Sequence, residues 1–145
     1  MIIEEHDFRD GVEYYIVFND IGWRCAYIAL PENDPLNGLP YEKIYDIVDL
    51  DEILDNEITF SGKLPFDDSD KYWIGFDYAH LHDTLDYESF RKYFPNENET
   101  YERLKRQAIQ TEKIFGSKVR TLEYVKNEIY ELIDKLTKTN LLQGE

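Results

Sequence analysis

The stretch DKYWIGFDYAHLHD, residues 70–83, gathers Trp73, Gly75, Asp77, His80, His82 and Asp83 within fourteen residues. Imidazoles and carboxylates at this spacing suit a divalent metal. His80 and His82 alternate, so an extended strand would put both on one face, with Asp77 or Asp83 joining them. A catalytic metal usually takes three protein ligands, and the remaining histidine, His6, falls in a stretch that reads as a frayed N-terminus. The plainer reading makes His80 a hydrogen-bonded turn residue and leaves His82 exposed. No metal and no other cofactor is expected.

Nucleophilic chemistry has less to work with. Cys25 follows Arg24, whose charge would lower a thiol pKa, but a buried inert cysteine is the commoner case. Ser61 precedes Gly62 without the strand-to-helix context of a nucleophile elbow. The seven glycines are scattered, and none forms a phosphate-cradling G-x-x-x-x-G-K loop. Carboxylate pairs carry no signal in a chain with 31 acids. No catalytic residue is assigned. Binding is better supported: Trp23, Tyr72 and Trp73, with Arg24, are groups that stack on planar ligands or fork around anions.

These residues need elements to hold them. GVEYYIVF (11–18) and WRCAYIAL (23–30) read as strands joined by NDIG, EITFSG (57–62) as a third and KYWIGFD (71–77) as a fourth. Three prolines and a glycine make 31–40 a loop, and 41–54 reads as a short helix or two. A short helix precedes Pro95, and a longer one runs from Glu99 until Gly116 breaks it. In the last helix Leu122, Val125, Ile129, Leu132 and Leu136 recur at intervals of 3, 4, 3 and 4. Strands early and helices late predict one α+β domain over residues 1–145: a small antiparallel sheet of about four strands packed against C-terminal amphipathic helices.

Composition bounds the rest. At 145 residues, with 42% hydrophobic content, the chain can bury a normal core. One cysteine excludes an internal disulfide, and the start lacks the basic and apolar regions of a signal peptide, which points to a reducing cytoplasm. No apolar run is long enough to span a bilayer. Of the net charge of −15, residues 1–70 carry −14 (18 acids, 4 bases) and residues 71–145 carry −1. Such a field repels phosphate backbones, so direct nucleic-acid binding is not expected, whereas a basic protein surface is attracted.

Taken in order, GWRCAYIALPENDPL, ITFSG, YWIGFDYAHLHD and TLEYVKNEIYELIDKL resemble a group of small phage and prophage proteins. Their shared pattern is G-W-R-C-x-Y, a proline loop, H-G-G-[IL]-T-[FY]-S, W-W-I-G-F-D-x-A-H-x-x-D and a closing helix. The resemblance spans roughly residues 22–136 and matches Gly22, Trp23, Arg24, Cys25, Tyr27, Thr59, Ser61, Trp73, Gly75, Asp77, His80 and Asp83. The chain departs where the pattern has H-G-G, reading Asp55, Asn56 and Glu57. The resemblance implies a phage setting and no reaction; small acidic phage proteins frequently counter host defences, so an anti-defence role in a host cytoplasm is the expectation by association.

Three functional readings follow. In the first, a non-catalytic pocket sequesters a small polar or nucleotide-like host signal: Trp23 and Trp73 stack, Arg24 meets an anion, and Ser61, Asp77, His80 and Asp83 hydrogen-bond. Lys118 and Arg120 would supply local positive charge. In the second, acids of the N-terminal half, Asp46, Asp49, Asp51, Glu52 and Asp55 among them, imitate nucleic-acid phosphates and occupy the groove of a basic host defence nuclease. The third is a metal-dependent hydrolase. The amphipathic last helix could also pair with a second copy.

Overall fold

The computed structural model describes residues 1–44, 58–79 and 83–138. A five-stranded antiparallel sheet runs in the order β1-β2-β3-β5-β4, with β1 Ile2–Arg9, β2 Val12–Phe18, β3 Arg24–Leu30, β4 Phe60–Gly62 and β5 Tyr72–Asp77. Helices α1 (Tyr41–Ile44), α2 (Tyr87–Tyr93), α3 (Asn98–Phe115) and α4 (Leu122–Lys138) complete an α+β fold. Two short strands, β6 (Asp83–Thr84) and β7 (Lys118–Val119), pair in parallel beside α3.

The sheet has one strand more than the sequence pattern announces. IIEEHDFR lacks an apolar run, yet it forms β1 because the chain turns back at Asp10–Gly11. Both residues have positive φ, 51° and 81°, the backbone of a two-residue hairpin turn that Asp-Gly favours. As an edge strand, β1 needs few apolar residues. A bulge between Ile3 and Glu5 offsets its register, the kind of irregularity that blunts a free sheet edge. His6 is thereby paired with Tyr15 and is not in a frayed terminus.

Strand alternation divides the core. Val12, Tyr14, Ile16, Ala26, Ile28, Ile74 and Phe76 face α4, whose Val125, Ile129, Leu132 and Leu136 are fully buried against them. Each such side chain contributes roughly 1.5–3 kcal/mol of burial. The opposite face carries Tyr15, Val17, Ala29 and Trp73, covered by Leu64 and Phe66 of the loop after β4. A third cluster joins Phe18, at the far end of β2, to Leu85, Phe90, Tyr101, Leu104 and Ala108 of the α2–α3 region. Asp86 caps α2, its Oδ1 accepting from Ser89 N at 3.1 Å. Among the described residues no helix is long and apolar enough to cross a membrane.

Candidate functional site

The matched residues are spread over both faces of the sheet. Arg24 points to the helix side and is 4% exposed. Its Nε and Nη2 donate to the two Glu4 oxygens at 2.7 and 3.0 Å, and Nη1 donates to Asp86 Oδ2 at 2.8 Å and Arg120 O at 3.0 Å. Burial works against the charge, but Glu4 and Asp86 outweigh it and hold the guanidinium above its ordinary pKa. Arg120 Nε in turn donates to Asp83 Oδ1 at 2.9 Å. The structure therefore brings Arg24 and Asp83 together, through Arg120, in a buried ionic cluster that ties β1, β3, α2 and the segment before α4. Arg120 is committed there; Lys118 is exposed.

The two tryptophans stand in different clusters. Trp73 is fully buried and packs at 5.2 Å from the Tyr15 ring, and its indole Nε1 has no acceptor among the described residues. Trp23 is half-buried against the Phe18 cluster. Ser61 pairs with Ile74 across the sheet and so sits on the helix face. Asp77 lies on the other face, where Oδ1 accepts from Ala79 N at 3.1 Å and Thr59 Oγ1 donates to Oδ2 at 3.4 Å. His80 lies outside the described residues, as do Asp46, Asp49, Asp51, Glu52 and Asp55. Cys25 faces away from Arg24, and burial with the Asp77 charge pushes its thiol up to about 11. That is an inert thiol, not an activated one.

A concave surface does exist, at the hairpin end of the sheet. It is an open groove of about 720 Å³ between the β1–β2 turn, the end of β3 and the start of β5. Phe8, 60% exposed, stands at its edge. Among the lining residues Asp10, Glu13, Glu32 and Asp70 face two lysines, Lys63 and Lys71. Both lysines are taken: Lys71 Nζ binds Glu13, and Lys63 Nζ lies 3.0 Å from Asp70 Oδ1. Asp10 and Glu32 are the excess.

Behind the groove a polar chain fixes the floor. His6 Nε2 lies 2.6 Å from Glu13 Oε2, and the His6 ring stacks on Tyr15 at 3.9 Å. Burial alone would raise the Glu13 pKa, but the bonds to Lys71 and His6 hold it below the usual carboxylate range. Tyr15 donates to Asp67 at 2.9 Å, and burial with that bond pushes its hydroxyl up to about 12. Glu13 is thus an anion at neutral pH, and the groove is a negative, partly apolar cleft. The sequence reading did not find these residues. The signal was the Asp10–Gly11 hairpin dipeptide, which sets β1 beside β2 and so His6 beside Glu13. Comparison with known proteins adds no neighbour: no family model, no curated protein and no solved structure matches the chain.

Proposed function

We propose that the protein acts by binding, and that the groove at the hairpin end takes a cationic segment of a partner protein. The observation that carries this reading is the charge of the groove: four carboxylates line it against two lysines, each already paired. An arginine or lysine side chain entering there would meet Asp10 and Glu32, with its aliphatic stem against Phe8. The N-terminal half extends the same field, with a net −14 over residues 1–70, and steers a basic partner toward the groove. In the phage setting that the resemblance implies, that partner is a basic host defence protein. A nucleotide sandwiched between Trp23 and Trp73 is not part of this proposal, because the two indoles belong to separate clusters.

The test uses a tetra-arginine peptide and a nucleoside triphosphate as probes, measured by calorimetry. Asp10→Asn with Glu32→Gln removes the excess charge and keeps the turn, since Asn-Gly is as good a hairpin dipeptide as Asp-Gly. The peptide should bind the native protein and weaken at least about tenfold in the double variant, a difference of about 1.4 kcal/mol. Equal peptide binding by both proteins, or binding of the triphosphate alone, overturns the reading.

A further inference from the structure

Strand β1 ends the sheet, and among the described residues no strand pairs with its outer edge. The bulge lies between Ile3 and Glu5, so residues 5–9 keep unbroken register against residues 12–16. Arg9 and Val12 flank the two-residue turn and therefore exchange main-chain bonds. The alternation of an antiparallel ladder then turns the N–H and C=O of His6 and Phe8 outward. One bond agrees with this: Phe8 N donates at 2.8 Å to Oδ1 of its own neighbour, Asp7, and not to β2.

The side chains along this edge differ by face. Ile3, His6 and Phe8 are opposite Val17, Tyr15 and Glu13, so they share the face turned away from α4, and all three are exposed. Glu5, Asp7 and Arg9 stand on the α4 side. Lys126 lies 3.3 Å from Glu5 and Asp134 lies 3.1 Å from Arg9, whereas exposed Asp7 has no cation among the described residues. The edge then runs into the groove, which Phe8 and Asp10 both line. A strand laid along β1 meets largely apolar side chains on one face and an unneutralised carboxylate on the other.

We propose that the cationic partner segment binds as an added β-strand on this edge, with apolar and basic residues alternating along it. The proposal rests on the reading of the groove as a cation site and names the form in which the cation arrives. An incoming carbonyl takes the Phe8 amide from Asp7, and the freed carboxylate takes the basic side chain across from it, so neither group is left without a partner. Apolar side chains of the segment lie beside His6 and Phe8. Past Arg9 the segment reaches the turn, where a second basic residue enters the groove at Asp10 and Glu32. A copy of β1 itself is a poor occupant, because it brings three acids, Glu4, Glu5 and Asp7, against Arg9 alone.

Amide hydrogen exchange and calorimetry test this with an end-blocked hexapeptide of alternating valine and arginine, beside the tetra-arginine probe. With hexapeptide bound, the His6 and Phe8 amides should slow by about tenfold, while those of Glu5 and Asp7, already bonded to β2, should not change. The peptide nitrogens are then methylated in alternate sets, on the valines or on the arginines. A strand turns only one set toward β1, so one methylated peptide should weaken at least about tenfold and the other should bind like the parent. Asp7→Asn keeps an acceptor for Phe8 N, removes the charge, and should weaken the parent peptide about threefold. Equal effects of the two methylated sets, unchanged exchange at His6 and Phe8, or full binding by Asp7→Asn overturns the proposal. If tetra-arginine still binds the native protein in any of those cases, the cation groove stands and only the form of its occupant was wrong. If neither peptide binds, the groove reading falls as well.

Discussion

The Tyr27 ring of β3 lies on the backbone of Gly75 in β5. The two residues are register partners, and a Cβ built on Gly75 would come within 2.7 Å of Tyr27 Cε1 and 2.8 Å of Ala26 O. The glycine of the W-I-G-F-D block is a seat for an aromatic ring, not a flexible joint. Gly75→Ala should therefore destabilise the protein by about 1–3 kcal/mol, the range of overpacking. Tyr27→Ala should relieve the part of that cost due to the ring and leave the contact with Ala26 O, so a double-mutant cycle in urea should show partial coupling. Additive losses would place the strain elsewhere.

Arg24 is the charged centre of the fold. Replacing it with Met leaves Glu4 and Asp86 facing each other without a cation, and should cost about 3–5 kcal/mol. Arg24→Lys should rescue little, since one ammonium cannot reproduce the fork. The pH dependence gives the sign. Burial raises the Asp86 pKa, but bonds from Ser89 and Arg24 more than offset it, so the folded value is lowered. Its contribution is full above the ordinary aspartate range and is lost as pH falls through the depressed folded value. Acid titration of the melting temperature should show this step in the native protein and a smaller one in Arg24→Met.

Trp73 fills the face opposite α4. Trp73→Ala should cost about 3–5 kcal/mol, whereas Trp73→Phe should cost far less, because it keeps a ring against Tyr15 and removes the unpaired indole donor. Iodide should quench the fluorescence of half-buried Trp23 more than that of Trp73. Equal quenching in the two single-tryptophan variants would contradict the assignment of Trp73 to the core.

Asp34 is buried in the proline loop, where Oδ2 has no hydrogen-bond partner among the described residues, while Oδ1 accepts from Leu36 N at 2.8 Å. Burial outweighs that bond and raises its pKa. A raised carboxyl pKa opposes folding once the group ionises, so the penalty is absent below the ordinary aspartate range and complete above the raised folded value. Asp34→Asn keeps the acceptor and removes the charge. It should stabilise the protein by about 1 kcal/mol at neutral pH, with the gain shrinking in acid. A variant less stable at every pH would show that the carboxylate is needed.

What could be read from the chain follows from how local each signal is. The α4 stripe and the apolar strands β2, β3 and β5 carry their burial in their own periodicity, and the helix break at Gly116 is equally local. Strand β1 was missed because an edge strand with one wet face has no apolar run; only its turn dipeptide marks it. The ionic cluster was out of reach for another reason. Arg24 reads as a ligand fork until Glu4 and Asp86, 20 and 62 positions away, are known to converge on it. The groove depends on the same kind of long-range juxtaposition, with Glu13 and Lys71 separated by 58 positions.

The Arg24 cluster also bears on how the molecule opens. Its ligands come from the edge strand, the cap of α2 and the segment leading into α4, so none of these layers can peel away without stranding a buried ion. The sheet and the α2–α3 layer, which have separate apolar cores, are thereby locked into one foldon. Amide protons of β3 and of α2 then exchange through the same global opening event, at a common rate, instead of the helical layer exchanging first.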